Sequence, residues 1–109
     1  MPKPDALQGS LDLLVLKILS RQPRLHGYAL MMEIQARSEE VLRVEEGSLY
    51  PALHRMEEAG WIRADWVTRD NGRRSRLYEL TALGRNQLSS EESRWLAVTA
   101  AVNRVLRTV

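Results

Sequence analysis

The chain has 109 residues, of which 44% are hydrophobic, with a net charge of +2 and no cysteine. This length predicts one small domain, or one domain with an extension, and the absence of cysteine excludes disulfides and thiolate metal sites. The N-terminus has no apolar run after basic residues, and the longest mostly apolar stretch, residues 11–19, is too short to span a bilayer. We therefore expect a soluble, cytoplasmic protein without a membrane partner.

The charges are unevenly distributed along the chain. Residues 33–58 contain seven Glu and three Arg, whereas residues 61–78 contain five Arg and two Asp. A local basic segment beside a surface helix is the electrostatic pattern expected of a DNA-binding protein. The charge distribution therefore favours double-stranded DNA as a partner.

The first predicted element is an apolar helix. Residues 2–7 are expected to form a short arm, and Ser10 is a plausible N-cap for a helix that extends to Ser20. The apolar residues of this helix cover more than one stripe, so we expect it to be enclosed on several sides. In so short a chain, a second subunit could supply part of that covering.

A turn around Pro23 separates this helix from a second one. The second helix is expected to begin at His26 or Gly27 and to continue to about Ser38. Residues 41–44 are rich in Val and Leu, which predicts one short strand. A third helix then follows, and this spacing suits a helix-turn-helix.

The third predicted helix is amphipathic and ends at Gly60, because glycine adopts the left-handed conformation that closes a helix at low cost. Its apolar stripe has spacings of three and four residues: Leu49, Ala52, Leu53, Met56 and Ala59. The opposite face, with Tyr50 at its edge, is small and hydrogen-bonding: Gly47, Ser48, Pro51, His54 and Arg55. Most amphipathic surface helices bind nothing, but the neighbouring segments favour a helix that lies in a DNA major groove.

A β-hairpin is predicted after the third helix. Residues 61–68 are strand-prone, Asn71-Gly72 predicts a type I′ turn, and residues 76–80 form the returning strand. Three helices followed by a hairpin with arginines at its tip describe a winged helix-turn-helix. The predicted fold class is therefore mainly α with a small β-hairpin (α+β), with a winged-helix DNA-binding domain at residues 1–80.

Residues 81–109 predict a long C-terminal dimerisation helix. Thr81 is a good N-cap, and a heptad-like apolar seam interrupted by Glu91 continues towards Arg107. The helix could fold back onto its own domain, but a two-fold dimer through the first and last helices is favoured, because both have apolar surface to spare. The residues expected at that interface are Leu11, Leu14, Leu88, Trp95, Val98, Val102 and Val105.

Four stretches carry a recognisable pattern from residue 8 to the end of the chain. They are residues 8–14 (QGSLDLL), 26–28 (HGY), 47–57 (GSLYPALHRME) and 72–85 (GRRSRLYELTALGR). In order and spacing they resemble the PadR family of transcriptional regulators, bacterial winged-helix repressors, and are similar to its short subgroup with one dimerising helix. The resemblance implies a homodimer whose third helices enter successive major grooves of a palindrome-like operator.

The resemblance also implies roles for individual residues. It assigns DNA contacts to the third helix and the wing: Ser48, Tyr50, His54, Arg73, Arg74 and Arg76. It places Trp95 opposite the partner, where some family members hold a planar, apolar effector. The chain departs from the family pattern at Leu77, where tyrosine is common, and at Glu45 and Glu46, where a Ser or Thr cap followed by proline is frequent.

Most of these residues, and the neighbouring Arg55, also have a purely structural interpretation. Ser48 could cap the helix locally, and Tyr50 could be a half-buried core aromatic. Arg55, beside His54, is expected to bind DNA at base edges, where arginine pairs well with guanine, but it could also pair with Glu58 on the same face. The arginines at the hairpin tip could form a solvated turn, and Trp95 could simply pack the dimer.

Catalysis, metals and cofactors are not indicated. His26 and His54 are far apart and have no acidic partner at ligand spacing, and no nucleophile motif or phosphate-binding glycine loop is present. The competing interpretation is a winged-helix protein-interaction module without DNA binding. It rests on an acidic stretch: Glu39, Glu40, Glu45 and Glu46.

Overall fold

The structure, a computed structural model, describes residues 5–108, with the side chains from residue 10 onwards. It contains four helices and three strands in these residues. In chain order they are α1 (Asp5–Arg21), β1 (Leu25–His26), α2 (Gly27–Arg37), α3 (Glu46–Glu58), β2 (Ile62–Thr68), β3 (Arg74–Leu80) and α4 (Ala82–Arg107). The strands form an antiparallel sheet in the order β1-β3-β2. The predicted α+β winged-helix fold is confirmed.

The hydrophobic core lies where α1, α2, α3 and the sheet meet. Helix α1 contributes five buried side chains along its length: Leu11, Val15, Leu16, Ile18 and Leu19. The other helices and the sheet cover it with a second set: Leu30, Ile34, Leu49, Ala52, Leu53, Met56, Ile62, Tyr78, Leu80 and Leu88. The expectation that the first helix is enclosed on several sides is therefore met largely within one chain.

Two predictions about the first half of the chain are wrong. Helix α1 begins at Asp5, so Ser10 lies inside the helix and the predicted arm is helical from residue 5, while residues 2–4 lie outside the described residues. Residues 41–44 form no strand. The small strand is β1, which pairs with β3 on the edge that β2 leaves free, whereas residues 41–44 have no strand beside them to supply hydrogen bonds.

Helix α3 ends as predicted. Gly60 has a φ of 83°, its N–H donates to Glu57 O at 3.0 Å, and the N–H of Trp61 donates to Met56 O at 3.0 Å. These two bonds form a Schellman closure, in which a left-handed glycine lets the chain turn back and satisfy carbonyls at the helix end. Ala59, which was expected in the apolar stripe, is exposed because it lies in this last turn.

The wing is the β2–β3 hairpin, whose register runs from Ile62 opposite Leu80 to Thr68 opposite Arg74. The N–H of Arg69 donates to Arg73 O at 2.7 Å, which leaves residues 70–72 as a three-residue loop. Within this loop only Gly72 has a positive φ, 84°. The predicted type I′ turn is therefore wrong, because that turn needs positive φ at both central residues of a two-residue loop.

Helix α4 begins at the predicted cap. The hydroxyl of Thr81 accepts from the N–H of Gly84 at 3.0 Å and donates to Gly60 O at 2.6 Å. The first part of α4 packs against α1, with Leu88 buried and Lys17 Nζ 3.0 Å from Glu92 Oε2. Its 26 residues span about 39 Å, and the molecule is elongated, at 60 × 29 × 28 Å. No helix of residues 5–108 is long and apolar enough to cross a membrane.

Candidate nucleic-acid interface

Helix α3 divides into a buried face and an exposed face. Leu49, Ala52, Leu53 and Met56 point into the core, as predicted. The opposite side presents residues that were singled out in the sequence: Tyr50, Pro51, His54 and Arg55 are exposed, and Ser48 is half-buried. The helix begins after Glu45, whose side chain makes no capping hydrogen bond. The exposed face is therefore polar and lies along one side of the protein.

Tyr50 packs against the start of α2. A Cβ atom built on Gly27 would lie 2.7 Å from the Tyr50 hydroxyl oxygen and 2.8 Å from Cε1. The aromatic ring can occupy this position only because residue 27 has no side chain. Tyr50 thus has one edge of its ring and its hydroxyl oxygen packed against Gly27, while the side chain as a whole stays partly exposed.

Arg55 is held by Asp12 of α1. Nη1 donates to Asp12 Oδ2 at 2.7 Å and Nη2 donates to Asp12 Oδ1 at 3.0 Å, so the pair is bidentate. These hydrogen bonds raise the pKa of Arg55 above its ordinary value. The alternative pairing with Glu58 is wrong: the Glu58 carboxylate lies 3.6 Å from Nε2 of His54. Arg55 therefore ties α3 to α1, while His54 stays exposed.

The arginines of the hairpin fall into two groups. Arg63 and Arg76 pair with carboxylates, Arg63 with Glu79 at 3.0 Å and Arg76 with Glu57 of α3 at 2.7 Å. Arg76 was expected at the hairpin tip, but it lies within β3, half-buried, where its ion pair connects the wing to α3.

The second group lies at the tip of the wing. Arg69, Arg73 and Arg74 are exposed, and none of them pairs with a carboxylate among the described residues. Arg69 was missed in the sequence, although it directly precedes the turn as Arg73 follows it. The described part of the wing thus separates arginines that hold the fold together from arginines that remain free for an anion.

The apolar seam of α4 is exposed beyond the body of the protein. Of the residues expected at a dimer interface, Leu11 and Leu88 are buried within the protomer, so they have little surface to offer to a partner. Leu14 is half-buried, and Trp95 is 43% exposed. Further along the helix the exposed apolar side chains are Leu96, Val98, Val102, Val105 and Leu106.

A small cavity of about 190 Å³ lies between α1, the end of α2 and the loop that follows it. Apolar side chains line it together with three basic ones, Lys17, Arg21 and Arg37. Trp95 does not line this cavity. Among residues 5–108, no cluster of His, Asp or Glu could hold a metal ion.

The sequence model of the Transcriptional regulator PadR-like family matches residues 15–90, from within α1 into α4. The chain belongs to the PadR-like family of transcriptional regulators. The match includes the exposed face of α3 and the whole wing of this PadR-like regulator. It leaves out the exposed end of α4 and its apolar seam.

Solved structures of other regulators share the fold over nearly the whole chain. A PadR-like transcriptional regulator from Bacillus cereus is 28% identical, with a TM-score of 0.79, over 97% of this chain and 100% of that chain. A PadR family transcription regulator from Clostridium difficile is also 28% identical, with a TM-score of 0.72, over 88% of this chain and 97% of that chain. A transcriptional regulator from Clostridium thermocellum has the same fold, with a TM-score of 0.83 at 23% identity over 93% of this chain and 97% of that chain.

Proposed function

We propose that this PadR-like regulator is a homodimeric repressor that binds double-stranded DNA at a palindrome-like operator. The observation that carries the proposal is the group of unpaired arginines at the wing tip, Arg69, Arg73 and Arg74, in a protein that also exposes the polar face of α3. Free arginines on a hairpin suit phosphate oxygens or a narrow minor groove. A polar helix face suits the major groove, which is wide enough to admit a helix.

Within α3, different residues have different tasks. His54 is an exposed side chain one turn beyond Tyr50, about two turns from the helix start, and is proposed to contact base edges. Ser48 and the hydroxyl of Tyr50 are proposed to contact phosphates, which fixes the register of the helix on the duplex. Arg55 serves recognition indirectly, because its pair with Asp12 fixes the orientation of α3 on α1. A direct contact of Arg55 with guanine would require that pair to break.

The dimer is proposed to form through α4 together with α1. The seam from Trp95 to Leu106 leaves six large apolar side chains exposed, and an isolated helix end of this kind is only marginally stable in water. A second copy related by a two-fold axis would cover both seams and present two α3 helices to successive major grooves, about 34 Å apart. Repression needs no further surface, because a dimer bound at an operator blocks other proteins from that DNA.

Gel-shift titration with the DNA upstream of the coding region, over a salt series, tests DNA binding. If each wing neutralises about three phosphates, log K should fall with log salt at a slope of about −5 for the dimer. Arg73→Ala with Arg74→Ala should weaken binding to all sequences alike and flatten this slope, whereas His54→Ala should reduce sequence preference. Arg63→Ala is the control, because Arg63 lies on the same hairpin but is paired with Glu79.

The competing function is a protein-interaction module, favoured by the exposed glutamates at the loop and start of α3: Glu39, Glu40, Glu45 and Glu46. These carboxylates would repel a phosphate placed at that helix end. A folded wild-type protein that binds no duplex even at low salt would refute the DNA-binding proposal and favour this alternative.

The dimer has its own test. Val102→Glu with Val105→Glu places two carboxylates in the proposed seam, and sedimentation equilibrium should then show a monomer where the wild type is a dimer. Ala100→Glu is the control, since it is also exposed but lies about half a turn from Val102, away from the seam. Equal association of all three proteins would exclude this interface.

An effector is proposed to bind beside Trp95, where two protomers meet. The indole ring is partly exposed on the seam, and a planar apolar molecule could stack on it between two chains. Titration of the dimer with planar hydrophobic compounds should quench fluorescence in the wild type but not in Trp95→Phe. Quenching that is the same in both proteins would place the compound elsewhere.

A further inference from the structure

One face of the wing continues outwards from the core. Residues directly opposite each other on antiparallel strands share a face. The pairs on this face are Ile62 with Leu80, Ala64 with Tyr78, Trp66 with Arg76 and Thr68 with Arg74. The first two pairs contribute to the core or pack against it, whereas the last two lie beyond it, towards the tip.

Trp66 lies on this outer part of the face and is 57% exposed. Two guanidinium groups flank its ring: Cζ of Arg74 is 5.1 Å from the ring centroid, and Cζ of Arg76 is 5.5 Å from it. Both distances are within the range of cation–π attraction. The ring therefore acts as a platform for two arginines that would otherwise move independently.

The two arginines differ in charge balance. The guanidinium group of Arg76 is neutralised by Glu57 and also lies over the ring of Tyr78, at 6.0 Å. Arg74 has no carboxylate partner in the described part of the chain, and its side chain is exposed. The platform thus holds one arginine inside an ion pair and presents the other, still cationic, to an anion.

From this geometry we propose that Trp66 positions Arg74 for a phosphate of the DNA backbone, without touching the DNA itself. The inference rests on the proposed DNA binding. A guanidinium group already held on an aromatic surface loses less rotamer freedom when it binds than a free arginine side chain does. Trp66 thereby strengthens binding to every sequence equally, since phosphates carry no sequence information.

The test is a double-mutant cycle in DNA affinity. Trp66→Leu should weaken binding of any duplex about threefold per wing, or roughly tenfold for a dimer, with an unchanged salt slope because no charge is lost. Arg74→Ala should flatten the slope by about 2, since one phosphate contact per protomer disappears. In the Arg74→Ala protein, Trp66→Leu should have no further effect. Val67→Ala, on the opposite face of the same strand, is the control for general weakening of β2.

Three outcomes would overturn the proposal. Wild-type affinity in Trp66→Leu would show that the platform is not used. An equal loss with and without Arg74 would show that Trp66 contacts DNA directly. The third outcome is read from NMR spectra of the free protein, where the guanidinium resonances of Arg74 should show a ring-current shift that Trp66→Leu removes. The absence of this shift from the wild-type spectrum would refute the stacked arrangement. This readout needs only the wild type, so it holds even if the Leu variant does not fold. A shifted resonance in a protein that binds no duplex would instead refute the proposed DNA binding, and with it the role of Trp66 in that binding, while the stacked arrangement itself would stand.

Discussion

The pair between Asp12 and Arg55 should contribute measurably to folding, and unequally through its two members. The side chain of Asp12 is only 13% exposed, whereas the side chain of Arg55 is 43% exposed. Removing Arg55 leaves a mostly buried charge without a partner, which costs about 2 kcal/mol. Removing Asp12 leaves a cation that can turn towards water, which costs about 1 kcal/mol. We therefore expect Arg55→Ala to destabilise the fold more than Asp12→Ala.

The assay is urea and thermal unfolding of both single variants and the double variant at one fixed protein concentration, because an associating protein has a concentration-dependent midpoint. For a domain of this size, 1 kcal/mol corresponds to about 4 °C in Tm. This double-mutant cycle should give a coupling free energy of about 1 kcal/mol between Asp12 and Arg55. The more exposed pair of Arg63 and Glu79 serves as the control and should give a coupling of only a few tenths of a kcal/mol.

Equal losses from the two single substitutions, or a coupling no larger than that of the control pair, would refute the claim that this pair anchors α3 to α1. The same variants report on DNA recognition. If Arg55 stays on Asp12 in the complex, Arg55→Ala should lower affinity without blurring sequence preference. A loss of preference at one base position would show that Arg55 leaves Asp12 to read the DNA.

Two further predictions concern stability. Burial raises the pKa of the Tyr78 hydroxyl. The stability that the neutral hydroxyl contributes is therefore complete below pH about 10, and it is lost as the pH rises through the raised pKa. In urea unfolding at increasing pH, Tyr78→Phe should lose less stability than the wild type. Gly84→Ala should destabilise the fold by about 2 kcal/mol, because a Cβ atom there would lie 2.0 Å from Trp61 O, which outweighs the better helix propensity of alanine. Gly47→Ala, with no atom near its Cβ, should instead be neutral or stabilising in the same thermal unfolding assay. A stable Gly84→Ala protein would show that α4 can move away from Trp61.

Local chemistry was sufficient to predict the order of the four helices and the hairpin, and several helix ends, from the sequence. Thr81 and Gly60 act where they were expected, since a hydroxyl cap and a left-handed glycine depend on only a few neighbouring residues. The apolar stripe of α3 was also correct from Leu49 to Met56, because helical periodicity fixes which side chains share a face. Ala59 departed from that stripe only where the helix ends.

Tertiary structure decided the features that depend on a distant partner. Which segment becomes the third strand depends on which one reaches the free edge of β3, and Leu25–His26 does so while residues 41–44 do not. The loop of the wing depends on the register of β2 with β3 rather than on the preference of an Asn-Gly pair.

Dependence on a distant partner also decides which arginines are paired with a carboxylate and which are not. Sequence alone shows that they are clustered, but pairing requires a carboxylate from another element: Asp12 reaches Arg55 across 43 positions of the chain, and Glu57 reaches Arg76 across 19. Arg73 and Arg74 have no such partner in the described structure. Charge composition is thus a property of the chain, whereas the availability of each charge for DNA is a property of the fold, because ion pairing acts over a few ångströms in space and is indifferent to separation along the sequence.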